Sequence, residues 1–234
     1  MADHTVKAFD QELAELKRCI GEMGRLAERQ RTRARGALAR RDAEAAELII
    51  AGDQEIDDLE LKVEWQATQV IVRRQPMASD LRQIMVAIRI ASDLERIGDL
   101  GKNLAKRTRA LTEAIAPRAV TGVARMGDLA LRQLHDVLDA YARDDADKAM
   151  KVWTSDEDID TVYNSVFREL LTYMMEDPRT IGQATHLMFA AKNMERIGDH
   201  CTNIAENIYY VVHGRPVAGE RPKGDVTSTM PVNL

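Results

Sequence analysis

The word E-R-I-G-D occurs twice in this chain of 234 residues, at Glu95 to Asp99 and at Glu195 to Asp199, each time with an asparagine four residues on, Asn103 and Asn203. A second pair of words travels with it. GDQEID, from Gly52 to Asp57, answers SDEDID, from Ser155 to Asp160, at an offset of 103 against the 100 of the first pair. A small shortening in one loop reconciles the two offsets. The economical reading is an internal duplication, so whatever the first half folds into, the second half must repeat.

Apolar spacing says what that unit is. Val6, Phe9, Leu13, Leu16, Ile20, Met23 and Leu26 recur at steps of three and four, the helical period, and predict one helix over about 3–40. A second pattern starts at Asp42, breaks at Gly52-Asp53 and resumes through Ile56, Leu59, Val63, Val70 and Ile71 to Gln75-Pro76. A third runs from Met77 to Ile115, and Pro117 marks the next boundary. The plan then recurs, with helices expected near 119–143, 145–176 and 178–212. The expected fold class is therefore all-α, a tandem repeat of two three-helix bundles of long antiparallel helices, with domains at 1–116 and 117–212. From 213 to 234 the chain turns to Gly, Pro, Thr and Ser without periodicity and reads as a frayed or disordered tail.

Composition agrees: aromatics are 4% and charged residues 30%, with few helix breakers. A net charge of -5 gives no global reason to bind nucleic acid or an anionic membrane. Cys19 and Cys201 stand far apart without a C-x-x-C spacing, which fits a reducing cytosol. No basic n-region and apolar run opens the chain, and charges interrupt every apolar stretch before it could span a bilayer.

On a helix, Glu95, Asp99 and Asn103 fall within about 80° of arc and form one oxygen-lined stripe. Leu81, Ile84, Met85 and Ile88 continue that stripe backwards, while Val86, Ile90, Leu94, Ile97 and Leu104 make the opposite, core-facing side. Glu195, Asp199 and Asn203 repeat the stripe opposite Met194, Ile197 and Ile204. Like charges at i and i+4 destabilise a helix by a few tenths of a kcal/mol, so something should neutralise them. Gly98 and Gly198, inside helices, each signal close approach by another group. Two more acidic pairs, Asp53 with Asp57 and Asp156 with Asp160, open the preceding helix segments. If the helices run antiparallel, four carboxylates converge per repeat, an all-oxygen cage suited to Mg2+, Ca2+, Mn2+ or Fe3+ and less to Zn2+. The alternative is local: Asp53 and Asp156 as helix N-caps, Asp57 and Asp160 favoured by the helix dipole, and the stripe a solvated face paired with Arg96 or Arg196.

These words, with R-R-Q-P-M-A-S-D-L-R from Arg73 to Arg82 and A-K-N-M-E-R-I-G-D-H-C-T-N-I-A-E from Ala191 to Glu206, resemble the PhoU family over nearly the whole chain outside the tail. The resemblance implies a cytoplasmic negative regulator of bacterial phosphate uptake, recruited to a membrane transporter complex without inserting into the membrane itself. It implies surface multinuclear metal clusters at Asp53, Asp57, Glu95, Asp99, Asp156, Asp160, Glu195 and Asp199. It also implies partners: the phosphate ABC transporter's ATPase, a phosphate-sensing histidine kinase, and further copies of the chain in a homodimer or higher oligomer.

Enzymatic readings fare worse. Di-iron oxidases built on bundles need E-x-x-H, and none of His4, His135, His186, His200 or His213 has a glutamate three residues before it. His200 lies about 100° around the helix from Asp99's counterpart Asp199 and reads as a rim residue. Metal-dependent phosphoester hydrolysis on the acidic clusters is the alternative function, without a phosphate loop or an activated nucleophile to support it. Arg25, Arg29, Arg31, Arg33, Arg35, Arg40 and Arg41 crowd the end of the first helix. Without interleaved aromatics they read as a solvated face paired with Glu28, Asp42 and Glu44, and no nucleic-acid partner is expected.

Overall fold

The computed structural model describes residues 2–111, 117–219 and 221; the side chain of Val6, the end of the third pattern at 112–115 and residues 222–234 of the tail lie outside this description. Among the described residues all regular structure is helical: α1 (Ala2–Arg40), α2 (Ala43–Ala51), α3 (Gln54–Arg74), α4 (Ala78–Ala110), α5 (Pro117–Arg143), α6 (Ala146–Thr154), α7 (Asp156–Glu176), a 3-10 turn (Pro178–Thr180) and α8 (Ile181–His213). None of these helices is long and apolar enough to cross a membrane.

Each repeat is a bundle of two long helices and a kinked third. In the first, α1 and α4 pack on one another and on α2 and α3; in the second, α5 and α8 pack on one another and on α6 and α7. The repeats join where α4 lies on α8 and α1 on α5, so one core runs through both. The helical period located that core well. Leu16, Ile20, Met23, Ile56, Val63 and Val70 are buried, as are Val86, Ile90, Leu94, Ile97 and Leu104 on α4 and Met194, Ile197 and Ile204 on α8. On the other side of α4, Ile84 is buried and Ile88 partly so, whereas Leu81 and Met85 are exposed.

The duplication extends to the turns. Arg41 and Asp144 both take positive φ, 55° and 53°, and each is followed by an aspartate that caps the next helix. Asp42 accepts from the Ala45 amide and Asp145 from the Lys148 amide, both at 2.9 Å. The second segment of repeat two, expected to be continuous over 145–176, breaks at Ser155 just as its counterpart breaks at Gly52. The kink brings the start of α3 and of α7 against the middle of α4 and α8, where E-R-I-G-D stands.

Candidate acidic clusters

Asp53 and Asp156 do not cap helices. Asp53 already has helical backbone angles and its carboxylate makes no capping bond; Asp156 is the first residue of α7, behind Ser155. Both are instead nearly inaccessible, at 2% and 3% exposure, with their carboxylates turned inward onto the facing helix. E-R-I-G-D supplies the room. A Cβ on Gly98 would stand 3.4 Å from Asp53 Oδ1 and 3.0 Å from Ile56 Cδ1; one on Gly198 would stand 3.0 Å from Asp156 Oδ1 and 3.1 Å from Ile159 Cδ1. The glycine therefore lets an aspartate from the neighbouring helix sit against the helix wall, next to the carboxylates one turn along.

In the first cluster Gln30 Nε2 donates to Asp53 Oδ1 (2.8 Å) and Lys102 Nζ to Asp53 Oδ2 (2.6 Å). The same ammonium lies 3.5 Å from Asp99 Oδ1, so it bridges the two acidic pairs. Asp57 lies within Coulombic reach of Asp53 and Asp99, and its carboxyl is held above the ordinary range first by burial and then by those charges. Burial, with Asp99 next, raises Glu95 as well. Glu60, absent from the doubled words, adds a fifth carboxylate within Coulombic reach of Glu95. The solvated-face alternative holds at the rim, where exposed Arg96 stands 3.5 Å from Glu95 and 3.9 Å from Asp99.

The second cluster is deeper. Asp156, Asp160 and Glu195 are all buried. Glu195 Oε1 pairs with Lys192 at 3.0 Å, while Oε2 finds no hydrogen-bond partner among the described residues. Burial pushes this carboxyl up to about 7, with Lys192 opposing and the Asp199 and Asp160 charges adding to the rise. Arg221, from beyond α8, bonds Asp156 and reaches Asp199 Oδ1 at 2.6 Å. Burial still holds Asp156 above its ordinary range despite this guanidinium.

All eight sequence-selected acids thus fall into two matched groups, four to a repeat. Among the described residues no three His, Cys, Asp or Glu side chains are gathered closely enough to hold a metal ion as they stand. Lys102 and Arg221 lie between the carboxylates and supply the positive charge that the sequence demanded. The trailing asparagines do not join: Asn103 is exposed, and Asn203 donates to Asp93 Oδ1 (3.3 Å). His200 Nδ1 lies 2.9 Å from that same oxygen, so it links α8 to α4 as a rim residue.

Sequence reasoning missed Lys102, Gln30, Arg221 and Lys192. Gln30 had a signal, since Gln133 shares its offset with the acidic pairs, although Gln133 donates to Ser155 Oγ (3.3 Å) rather than to an aspartate. The arginine-rich end of α1 also differs from expectation. Arg25, Arg29, Arg33 and Arg40 stay exposed, but Arg29 pairs with Glu55 (3.2 Å) and Arg35 with Asp128 (2.9 Å) instead of the nearby acids. Arg31 is buried, with Nη2 3.1 Å from Met194 Sδ.

A family model described as the PhoU domain matches residues 20–108 and 123–208, one match per bundle. The chain is 53% identical over 228 residues to a phosphate-specific transport system accessory protein PhoU homolog of Rhizobium meliloti, covering 97% of this chain and 96% of the relative. It is 49% identical over 229 residues to the homolog of the same name in Caulobacter vibrioides, covering 97% and 100%. Among solved structures, PhoU from Pseudomonas aeruginosa superposes with a TM-score of 0.85 at 38% identity, over 88% of this chain and 100% of that one. The phosphate transport system regulatory protein PhoU from Streptococcus pneumoniae gives 0.83 at 33% identity, over 89% and 99%.

Proposed function

The chain belongs to the PhoU family, and we propose that it is a non-enzymatic cytoplasmic regulator of phosphate uptake and of the phosphate-starvation response. It acts as a metal-binding adaptor between the phosphate ABC transporter's ATPase and a phosphate-sensing histidine kinase, and keeps the response off when phosphate is ample. The printed names of the relatives, accessory and regulatory proteins of phosphate transport, support the role and its non-enzymatic character. The observation that carries the site is the matched pair of acidic clusters, each built on a glycine that admits an aspartate from the next helix.

The donor chemistry fits a hard cation: among the described residues each cluster offers carboxylates, while burial keeps the nearby Cys201 thiol protonated and His200 is engaged with Asp93. Glu195 Oε2, buried and without a partner among the described residues, is an acceptor that such an ion would satisfy. Asp53, Asp57, Glu95 and Asp99 would hold it in one repeat, and Asp156, Asp160, Glu195 and Asp199 in the other; Fe3+, Mn2+, Mg2+ and Ca2+ all suit. When bound, it would supply concentrated positive charge that ties adjacent helices together. Exposed apolar side chains at matching positions of the two repeats, Val72 with Met175 and Leu81 with Ile181, support two similar docking surfaces.

Retention of the transporter ATPase on the immobilised wild type and on the Glu95→Ala/Glu195→Ala variant tests the proposal. Weaker retention by the variant is expected. Undiminished retention would mean that the clusters do not shape the adaptor surface, and absence of retention by the wild type would remove the adaptor role.

A further inference from the structure

The two clusters obtain their positive charge differently. In the first it comes from within the motif helix, at Lys102. The matching position in the second is Thr202, which is buried and donates its hydroxyl to the Asp199 carbonyl (2.8 Å). Lys192 pairs with Glu195, leaving Asp156 and Asp199 to Arg221. The second cluster therefore borrows its bridging cation from outside both bundles.

The segment that carries Arg221 is built to return to the molecule. Gly214 ends α8 with φ 70°, donating to the Tyr210 carbonyl (2.9 Å), and reverses the chain. Val217 packs against the core. Pro216, Val217 and Gly219 close one side of a cavity of about 690 Å3 whose other walls include Arg89, Asp93 and Asn207. Residues 214–219 and 221, read from sequence as frayed, thus form a strap over the groove between α4 and α8, pinned among the described residues by the Val217 side chain and the Arg221 guanidinium.

We propose that Arg221 is a displaceable counter-cation: a divalent metal ion entering the second cluster takes its place between Asp156 and Asp199 and releases the strap from the groove. The idea rests on the metal-binding reading above. The guanidinium and an ion compete for the same two carboxylate oxygens. Arg221 brings a single charge spread over a plane to Asp156 and Asp199, and Glu195 Oε2 is left without a partner among the described residues; a divalent ion brings more charge in less space. With Arg221 expelled, Val217 is the side chain that holds the strap to the core among the described residues, and a segment with few such contacts opens readily. Lys102, anchored in α4, has no strap to release, so only the second cluster couples ion loading to a movement of the chain.

The test uses the full chain with the first cluster silenced by Glu95→Gln/Asp99→Asn. Mn2+ is titrated calorimetrically into this protein and into the same protein carrying Arg221→Ala. Loss of two charge-assisted hydrogen bonds from the competing side chain should tighten Mn2+ binding by roughly tenfold or more, and Arg221→Lys should lie between. In a second chain carrying Val217→Cys, with Cys19 and Cys201 buried and slow to react, Mn2+ should accelerate labelling of the introduced thiol by Ellman's reagent. Equal Mn2+ affinity with and without Arg221, or a labelling rate indifferent to bound Mn2+, overturns the exchange and leaves the metal reading standing. If Mn2+ binds neither protein, the metal reading falls and this inference with it.

Discussion

Glu195 offers the sharpest quantitative test of how the second cluster is assembled. The residue is 7% exposed, its carboxyl is bonded at one oxygen only among the described residues, and burial holds it near pH 7 against an ordinary value of 4.5. Below pH 4.5 the group is protonated in both folded and unfolded chains. Between 4.5 and 7 the unfolded chain releases the proton while the folded chain keeps it, so stability present in acid is lost as pH rises through the folded value. The loss is up to about 3 kcal/mol. Glu195→Gln, which keeps the shape and cannot ionise, escapes it. With a chelator present, thermal melts followed by circular dichroism should therefore show the variant melting roughly 5–10 °C above the wild type at pH 8. The advantage should shrink steadily and vanish by pH 4.5. An advantage equal at both ends of the range, or a variant less stable than the wild type at pH 8, would refute the claim that a buried, underpaired carboxylate destabilises the ion-free fold.

Other perturbations address the remaining parts. Gly198→Ala gains about 1 kcal/mol of helix propensity, but its methyl would meet Asp156, Gln133 and Ile159 at 3.0–3.1 Å. The crowding outweighs the gain, and chemical denaturation should show a net loss of about 1 kcal/mol. Gly182→Ala in the same helix, with nothing within 4 Å of the added methyl, should lose no stability. Arg31 is 3% exposed, and its Nε and Nη1 find no hydrogen-bond partner among the described residues. Arg31→Met should raise the melting temperature, corresponding to a gain of about 1–3 kcal/mol, and a lowered one would mean that the buried charge is compensated. Asp145→Ala removes a side-chain cap and should lose about 1 kcal/mol in the same assay.

What could be read from the sequence was whatever the chain's own period and its doubling encode. Steps of three and four placed Leu94, Ile97 and Leu104 in the core because the helical repeat aligns them on one face. The glycine of E-R-I-G-D pointed to close approach, and Asp53 and Asp156 are what approach. Arg31 was legible too, since it shares a stripe with the buried Ala27, Ala34 and Leu38, but its charge drew attention to the surface instead. The capping alternative for Asp53 failed because a local rule was outcompeted: an ammonium and an amide from two other helices bind the carboxylate in place of its own backbone. Arg221 was out of reach of any such reasoning. The segment around it has no period, and its partners lie on α7 and α8, chosen by tertiary proximity.

Crystals grown in Mn2+ and measured at a wavelength where manganese scatters anomalously test most directly that the doubled acids are matched cation sites. The account predicts anomalous peaks among Asp53, Asp57, Glu95 and Asp99 and among Asp156, Asp160, Glu195 and Asp199, with the Arg221 side chain withdrawn from the second. Well-ordered clusters without such peaks, with Lys102 and Arg221 still seated between the carboxylates, would contradict it.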